Sequence, residues 1–281
     1  MIVVTGATGN VGRPLVDFLA GAGHAVTAVS RGVTSPPPAR RGVTPMVADL
    51  ADADALVPVL RGAKALFLLV SGAGGHVDGR AVLGRAAGAG VSRVVLLSSQ
   101  AAGTRPGSVS HAPLAALEAE VRSSGLEWTV LRPGGFTTNA FAWVPSIRAQ
   151  RTVFAPYADV ALPAVDPLDI AEVAAAALAG DGHAGRTYTL TGPEPTSPRR
   201  RAELLGAALG EELTFVELGH DQARAQLLRV MPEPVADGTL DILGRPTPEE
   251  VRVSPDVEGV LGRPATSFAA WAGGQVDVFR G

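Results

Sequence analysis

Short apolar runs alternate with stretches of helical periodicity along the first two thirds of the chain. Residues 1–4 form a mostly β-branched run, and a glycine-rich turn separates it from apolar residues at three- and four-residue steps: Val11, Leu15, Phe18 and Leu19. This step is the period of an amphipathic helix, whereas a short unbroken apolar run is typical of a buried strand. The pattern therefore predicts a strand, a turn and a helix.

The same alternation continues and predicts further strands that are separated by helical connections. These runs lie at residues 25–30, 43–48, 65–70, 93–97, 127–131 and 186–190. Strands that are joined through helices pair in parallel, with right-handed crossovers. The pattern predicts an α/β fold with a doubly wound parallel sheet, which is the Rossmann arrangement.

The last third of the chain lacks this regular alternation of predicted strands and helices. From residue 193 onward, prolines break the sequence into short helices around one predicted strand at residues 213–218. We predict a single domain over residues 1–281, in which a small lobe covers the substrate. Its expected parts are a Rossmann core of residues 1–133 plus 164–192 and a substrate lobe of residues 134–163 and 193–281.

Two helices beyond residue 160 have clear start signals. Asp166 followed by Pro167, and Ser197 followed by Pro198, are residue types that favour the N-cap and the first helical position. Three arginines at residues 199–201 fall in the first turn of the second helix. We expect them to be solvated and not to form a patch for nucleic acid.

The turn after the first strand has the glycines that a bound dinucleotide requires. Gly6 permits the reversal out of the strand, Gly9 leaves room for a pyrophosphate, and Gly12 lets the helix pack closely on the strand. The helix N-terminus adds free N–H groups and a partial positive charge. The spacing is G-x-x-G-x-x-G, so the strand before it and the helix after it are what make the signal specific.

Two later segments, together with the glycine-rich loop, indicate a known protein family. T-G-A-T-G-N-V-G at residues 5–12, V-L-L-S-S at 95–99 and W-T-V-L-R-P-G at 128–134 together resemble the NmrA-like, atypical branch of the short-chain dehydrogenase/reductases. The resemblance covers roughly residues 1–190 and implies a Rossmann fold with a nicotinamide cofactor. The family includes NADPH-dependent reductases of quinones, phenylpropanoids and polyketide ketones, and also cofactor-sensing regulators without catalysis.

Arg31, directly after the second predicted strand, bears on the choice of cofactor. NAD-binding proteins usually have Asp or Glu here, which binds the ribose hydroxyls and repels a 2′-phosphate. A guanidinium instead suits bidentate phosphate binding, and Arg40 and Arg41 are near enough in sequence to assist. The sequence therefore predicts NADPH, with a solvated arginine at a loop start as the alternative.

The other expected cofactor contacts lie at the carboxyl ends of the strands. The resemblance implies that Asp49 lies by the adenine ring, although Asp49 could also start the following helix. His76, which opens the helix after the fourth strand, is expected to be a surface or cap residue. The predicted contacts are Gly6, Thr8, Gly9, Asn10, Val11, Gly12, Arg31, Asp49, Leu50, Leu69, Val70, Ser71, Ser98, Pro133, Gly134 and Phe136.

The Tyr-x-x-x-Lys pair that serves catalysis in the resembled family is missing. Alignment of the helix at about residues 111–123 places Ala112 at the tyrosine position and Ala116 at the lysine position. Lys64 is the only lysine, and the two tyrosines, Tyr157 and Tyr188, have no lysine four residues later. A reductase with this sequence needs another way to stabilise its product.

The candidates for that role are Ser98, Ser99, Gln100 and His111. A serine hydroxyl or the glutamine amide could donate a hydrogen bond to a developing alkoxide, and His111 could supply a proton near neutral pH. The alternative for His111 is a helix-start residue that faces solvent. Water or a phenol of the substrate could also supply the proton.

Composition limits the partners. The formal net charge of −3 gives no reason to expect nucleic acid or an anionic membrane, and the absence of cysteine excludes disulfides and thiolate ligands. No apolar run approaches ~18 residues, and a strand is predicted from residue 2, which leaves no room for a signal peptide. We expect a cytoplasmic protein without a metal, either a monomer or a homodimer.

Two functions suit these observations. The first is an NADPH-dependent reductase that transfers hydride to a carbonyl or quinone of a small aromatic, polyketide-like substrate of secondary metabolism. The second is a non-catalytic regulatory protein that senses NADP(H) and binds a protein partner. The missing Tyr/Lys pair is compatible with both.

Overall fold

The computed structural model describes residues 1–32, 41–70 and 75–280, which are arranged around a seven-stranded parallel sheet. The strands are β1 (Ile2–Thr5), β2 (Val26–Ser30), β3 (Val43–Val47), β4 (Ala65–Leu69), β5 (Arg93–Leu97), β6 (Glu127–Pro133) and β8 (Arg186–Leu190). Their order is β3-β2-β1-β4-β5-β6-β8, and every neighbouring pair is parallel. The predicted doubly wound Rossmann sheet is confirmed.

Some of the helices cover both faces of this sheet, and the others pack beside it. They are α1 (Gly12–Gly21), α2 (Val57–Leu60), α3 (Gly79–Gly88), α4 (Gln100–Thr104), α5 (Ala112–Arg122), α6 (Val144–Gln150), α7 (Pro167–Ala179), α8 (Pro198–Leu209), α9 (His220–Leu227), α10 (Glu233–Gly244), α11 (Pro248–Val251), α12 (Asp256–Leu261), α13 (Phe268–Gly274) and α14 (Val276–Phe279). Two 3₁₀ turns lie at Asp54–Leu56 and Thr137–Trp143. No helix in the described part of the chain has the length and apolarity to cross a membrane.

The sheet residues alternate between two hydrophobic cores. One core includes Val4 and Phe67 and packs against α1, α7 and α12. The other includes Val3 and Leu66 and packs against α2, α3 and α5. A strand that is covered on both faces needs apolar residues at consecutive positions, which explains why these strands are unbroken apolar runs.

A third core lies outside the sheet, among α6, α8, α13 and α14. It contains a two-stranded parallel pair of β7 (Thr152–Ala155) and β9 (Thr214–Glu217). The strand expected at residues 213–218 is β9, but β7 was not predicted. Its four residues are too few to show a period, and its partner lies about sixty residues further along the chain.

Both predicted helix starts are confirmed. Asp166 caps α7 by accepting the N–H of Leu168, and Ser197 caps α8 by accepting the N–H of Arg200. The prediction of three solvated arginines is wrong for Arg201. Its guanidinium donates to the carbonyl oxygen of Leu162 at 2.7 Å, and burial lowers the pKa of Arg201 to about 10.

Candidate functional site

The sheet opens between β1 and β4, where the strand order reverses. The Thr5 hydroxyl ties the two strands together below the opening, because it accepts the N–H of Leu69 at 2.8 Å and donates to the carbonyl oxygen of Phe67 at 3.0 Å. Beyond these bonds, the chain leaves β1 and β4 towards different helices. Open α/β sheets bind ligands in the crevice at this point.

The glycine loop lies over this crevice, and its three glycines have different environments. Gly6 has a φ of +64°, and a Cβ on Gly12 would lie 2.1 Å from the Gly6 carbonyl oxygen, so both positions require glycine for the fold. At Gly9, an added Cβ would come no closer than 3.4 Å to the protein. The space beside Gly9 is therefore free, which fits a loop that receives a pyrophosphate.

A cavity of about 200 Å³ extends from the loop to the ends of β2 and β3. Arg31 is exposed beside it and forms no ion pair with any residue that the structure describes. Asp49 accepts the N–H of Ala51 at 3.0 Å, so it shapes the following turn while it lines the cavity. The predicted cofactor residues in this lining are Gly6, Thr8, Gly9, Arg31, Asp49, Leu50 and Leu69.

Several other predicted cofactor residues have side chains that point elsewhere. Val11 and Val70 are buried in the two sheet cores, and Phe136 packs against the core on the α1 face. Asn10 faces a neighbouring groove, where its amide donates to the Thr138 hydroxyl at 3.4 Å. The side chains of these three apolar residues therefore pack in or against the cores, and any contact with a cofactor would come from their backbone.

The remaining predicted cofactor residues lie at the start of α1, at a second cavity that is described below, or outside the described residues. Gly12 is the first residue of α1, and Pro133 and Gly134 line the second cavity, at the end of β6. Ser71, and also Arg40, lie outside the described residues.

Sequence reasoning missed five residues of the first cavity: Thr5, Val29, Ser30, Ala48 and His76. His76 is exposed as expected, but it faces the cavity and does not cap the helix. The cap of α3 is Asp78, whose carboxylate accepts the N–H of Ala81 at 3.0 Å. The position of His76 directly after the small residues that follow β4 was the available signal.

The second cavity, of about 240 Å³, lies at the carboxyl ends of β5 and β6. Its polar lining comes from the start of α4, the residues before α5, the segment after β6, and one residue each of α10 and α11: Ser99, Gln100, Ser110, His111, Asn139, Thr239 and Glu250. Its apolar lining comes mainly from α10 and includes Val235, Ile242 and Leu243. Such a mixture is typical of a small-molecule pocket.

Ser98 does not donate into this cavity. Its hydroxyl donates to Glu118 at 2.6 Å, and Arg132 donates to both oxygens of the same carboxylate. Burial opposes ionisation of Glu118, but the hydrogen bonds from Arg132 and Ser98 outweigh it and hold the pKa of Glu118 below its ordinary value. The proton of the Ser98 hydroxyl is therefore committed to this buried network and not available to a ligand in this arrangement.

Ser99 and Gln100 have donors available at the cavity. Ser99 caps α4, and its oxygen accepts the N–H of Ala101 at 3.2 Å, which leaves its own proton free to donate. Gln100 uses one amide hydrogen for the carbonyl oxygen of Glu249 at 3.1 Å and retains the other. Both groups can stabilise negative charge on a bound molecule.

His111 stands directly before α5, as expected for a helix-start residue, and its half-buried side chain lines the cavity. Its Nδ1 lies 2.9 Å from the Ser110 hydroxyl. Burial, and then the positive charge of Arg105, lower the pKa of His111, although Glu250 acts in the opposite direction. Since an ordinary histidine titrates near 6.5, the imidazole is mostly neutral at physiological pH and the proton-donating cation is the minor form.

The tyrosines of the chain have partners outside both cavities. The Tyr157 hydroxyl lies 2.9 Å from His220, and the Tyr188 hydroxyl lies 2.9 Å from His183. Ala112 begins α5 beside His111, where it presents only a methyl group. Apart from Glu250, which pairs with Arg105, the polar side chains that line the cavity are therefore neutral.

The comparisons with known proteins agree with this geometry. The family described as NAD(P)H-binding matches residues 6–181. A relative from Streptomyces griseus, a (4-alkanoyl-5-oxo-2,5-dihydrofuran-3-yl)methyl phosphate reductase, is 39% identical over 282 residues that cover 99% of each chain. An NAD(P)H azoreductase of Xenophilus azovorans is 31% identical, again over 99% of each chain.

A solved structure with bound NADPH has the same fold. The NADPH-dependent quinone oxidoreductase of Escherichia coli, in complex with NADPH, has a TM-score of 0.80 to this chain at 26% identity. The alignment covers 97% of this chain and 98% of that one.

Proposed function

The chain belongs to the NAD(P)H-binding family, as an NmrA-like, atypical short-chain dehydrogenase/reductase, and we propose that it is an NADPH-dependent reductase of small conjugated acceptors. By these we mean quinones, or alkenes that are flanked by carbonyl groups. The observation that carries the proposal is the pair of cavities at one edge of the sheet. The first fits a dinucleotide, and the second offers neutral hydrogen-bond donors beside an apolar wall.

The donors at the second cavity favour a conjugated acceptor over an isolated ketone. When bound, NADPH supplies a hydride, and an isolated ketone then becomes a strongly basic alkoxide. Ala112 and Ala116 offer no acid to protonate an alkoxide. A conjugated acceptor instead becomes a delocalised, weakly basic anion, which Ser99 and Gln100 can stabilise by hydrogen bonds until water supplies the proton.

The names of the relatives support this substrate class. Quinones and azo compounds contain conjugated multiple bonds, and the furanone in the name of the Streptomyces griseus protein has a ring double bond conjugated with two carbonyl groups. These full-length relatives are reductases, which supports catalysis over cofactor sensing. The sequence predicted a carbonyl or quinone substrate. The proposal narrows this class to electron-poor acceptors with conjugated double bonds.

Measurement of NADPH absorbance tests the proposed function. We expect the purified protein to oxidise NADPH with 1,4-naphthoquinone or an acyl-butenolide, and not with 2-octanone. Tight NADPH binding without oxidation by any acceptor would identify a sensor. Equal turnover of 2-octanone would contradict the argument from the missing acid.

Arg31→Ala is expected to weaken NADPH binding roughly ten- to a hundredfold and to leave NADH binding almost unchanged, because Arg31 is free to pair with the 2′-phosphate. Isothermal titration with both cofactors measures the difference. Arg61→Ala, at an exposed arginine at the end of α2, is the control and should change neither affinity. Equal weakening of both cofactors by Arg31→Ala would refute the assignment.

A further inference from the structure

One wall of the second cavity is a continuous stripe on α10. The residues recur at four- and three-residue steps and therefore share one face of the helix. Leu114 of α5 and Leu162 add apolar surface to the same cavity. The residues of the stripe are Val235, Thr239, Ile242 and Leu243. Such a wall favours a hydrocarbon chain on the bound molecule.

Close contacts fix the position of this wall. A Cβ on Gly238, in the middle of α10, would lie 2.3 Å from the Ser110 hydroxyl. A Cβ on Gly244, at the end of α10, would lie 2.6 Å from the ring of Tyr157. Both glycines therefore let α10 approach the neighbouring loops, and the stripe is held against the cavity.

The single ionised group in the described lining of this cavity, Glu250, is fully paired. Arg105 donates to both of its oxygens at 2.8 Å, the Thr104 hydroxyl donates at 2.6 Å, and the N–H of Thr247 donates at 2.9 Å. Arg105 also donates to the carbonyl oxygen of Arg245 at 2.7 Å. The charges of Glu250 and Arg105 therefore compensate each other, and three of the five N–H groups of Arg105 are used in these bonds.

Two further groups near the cavity, the Arg132 guanidinium and the N–H of Ala112, are also occupied. Arg132 pairs with Glu118, as described above. At the start of α5, the N–H of Ala112 donates to the carbonyl oxygen of Ser108, and Pro113 has no N–H. A phosphate or carboxylate would thus lose its hydration without gaining an ionic partner, which is costly.

We propose that this cavity receives an uncharged substrate with an alkyl or acyl chain, which lies along α10 while the acceptor group lies at Ser99 and Gln100. The proposal rests on the reductase function proposed above and specifies its substrate. It distinguishes this chain from the relative that is named for a phosphate ester. Each further methylene that reaches the stripe is expected to raise affinity about fourfold until the cavity is full.

Matched pairs of neutral and anionic acceptors test whether the cavity prefers an uncharged substrate. The first pair is a (4-alkanoyl-5-oxo-2,5-dihydrofuran-3-yl)methanol and its phosphate ester, and the second is 2-hexyl-1,4-benzoquinone and the analogue with a terminal carboxylate. We expect the neutral member to have a kcat/KM at least about tenfold higher in each pair. Calorimetric binding to the NADP⁺-loaded protein should show the same order. Equal or stronger binding of an anionic member overturns the proposal, as does no binding of any of the four.

The binding measurement separates this proposal from the proposed function. Neutral ligands that bind without turnover would contradict the reductase function and support the assignment of the cavity to an uncharged substrate. Turnover with a preference for anionic acceptors would support the reductase function and contradict the assignment of the cavity.

Leu243→Arg should shift the preference of each pair towards its anionic member by about tenfold, because it adds an unpaired cation to the stripe. Val235→Lys, in the first turn of α10, provides a second variant should the first not fold. Leu228→Arg, at an exposed leucine after α9, is the matched control and should leave the preference unchanged. An unchanged preference in both folded stripe variants would contradict the assignment of α10 to the substrate.

Discussion

Gly9→Val is expected to abolish measurable NADPH binding, a loss of about a hundredfold or more, in a protein that remains folded. The free space beside Gly9 accommodates a Cβ, since the nearest protein atom would be 3.4 Å away. The branched side chain would then occupy the volume that a pyrophosphate needs. Calorimetric titration measures the affinity, and circular dichroism measures the fold.

Two other glycines provide the comparison. Gly12→Ala should destabilise the fold itself, because its Cβ would lie 2.1 Å from the Gly6 carbonyl oxygen. Gly21→Ala, where the Cβ meets no atom within 4 Å, should change neither fold nor binding. Normal NADPH binding by folded Gly9→Val would show that the glycine loop is only a turn.

Ser99→Ala is expected to lower kcat about a hundredfold at every pH, because it removes one preorganised donor to the developing negative charge. His111→Phe should act differently. Since burial and Arg105 lower the pKa of His111, the protonated form exists mainly below pH 6.5, and a role as acid would appear as activity that falls as pH rises through that acidic range. Rate–pH profiles of both variants separate the roles.

Ser98→Ala is the control for Ser99→Ala, because its hydroxyl donates to Glu118 and not into the cavity. It should mainly lower the free energy of unfolding. A rate loss in Ser98→Ala that matches the loss in Ser99→Ala, at unchanged stability, would reverse our assignment of the two serines. Near-normal rates in both Ser99→Ala and His111→Phe would leave positioning against NADPH as the source of catalysis.

The Rossmann sheet and the dinucleotide cavity could be predicted from the sequence because their signals are local. A strand covered on both faces has to be apolar at consecutive positions, and the glycine loop follows β1 directly. The ends of parallel strands meet at one edge, so residues as distant as Gly9, Arg31 and Asp49 could be placed together before the structure was known.

The lining of the second cavity could not be predicted in the same way, because it depends on contacts between residues that are far apart in the sequence. Ser98 and Ser99 are neighbours at the end of β5, and only the position of Glu118 twenty residues later decides which hydroxyl is free. The α10 wall depends on the approach of Gly238 to Ser110 across more than a hundred residues. The environment of Arg201 could not be predicted for the same reason. An arginine in the first turn of a helix is expected to be solvated, but here its guanidinium binds the carbonyl oxygen of Leu162, which is distant in the sequence.

Transfer of deuterium from NADPH labelled at C4 to an acyl-butenolide tests the central claim most directly. If the two cavities hold cofactor and acceptor in one orientation, as we propose, only one of the two C4 stereoisomers should deliver its label. Mass spectrometry of the product should then show one deuterium on the ring carbon β to both carbonyl groups, while the α carbon between them takes its proton from water. A product without deuterium from either stereoisomer, or with equal labelling from both, would contradict direct hydride transfer between the two cavities.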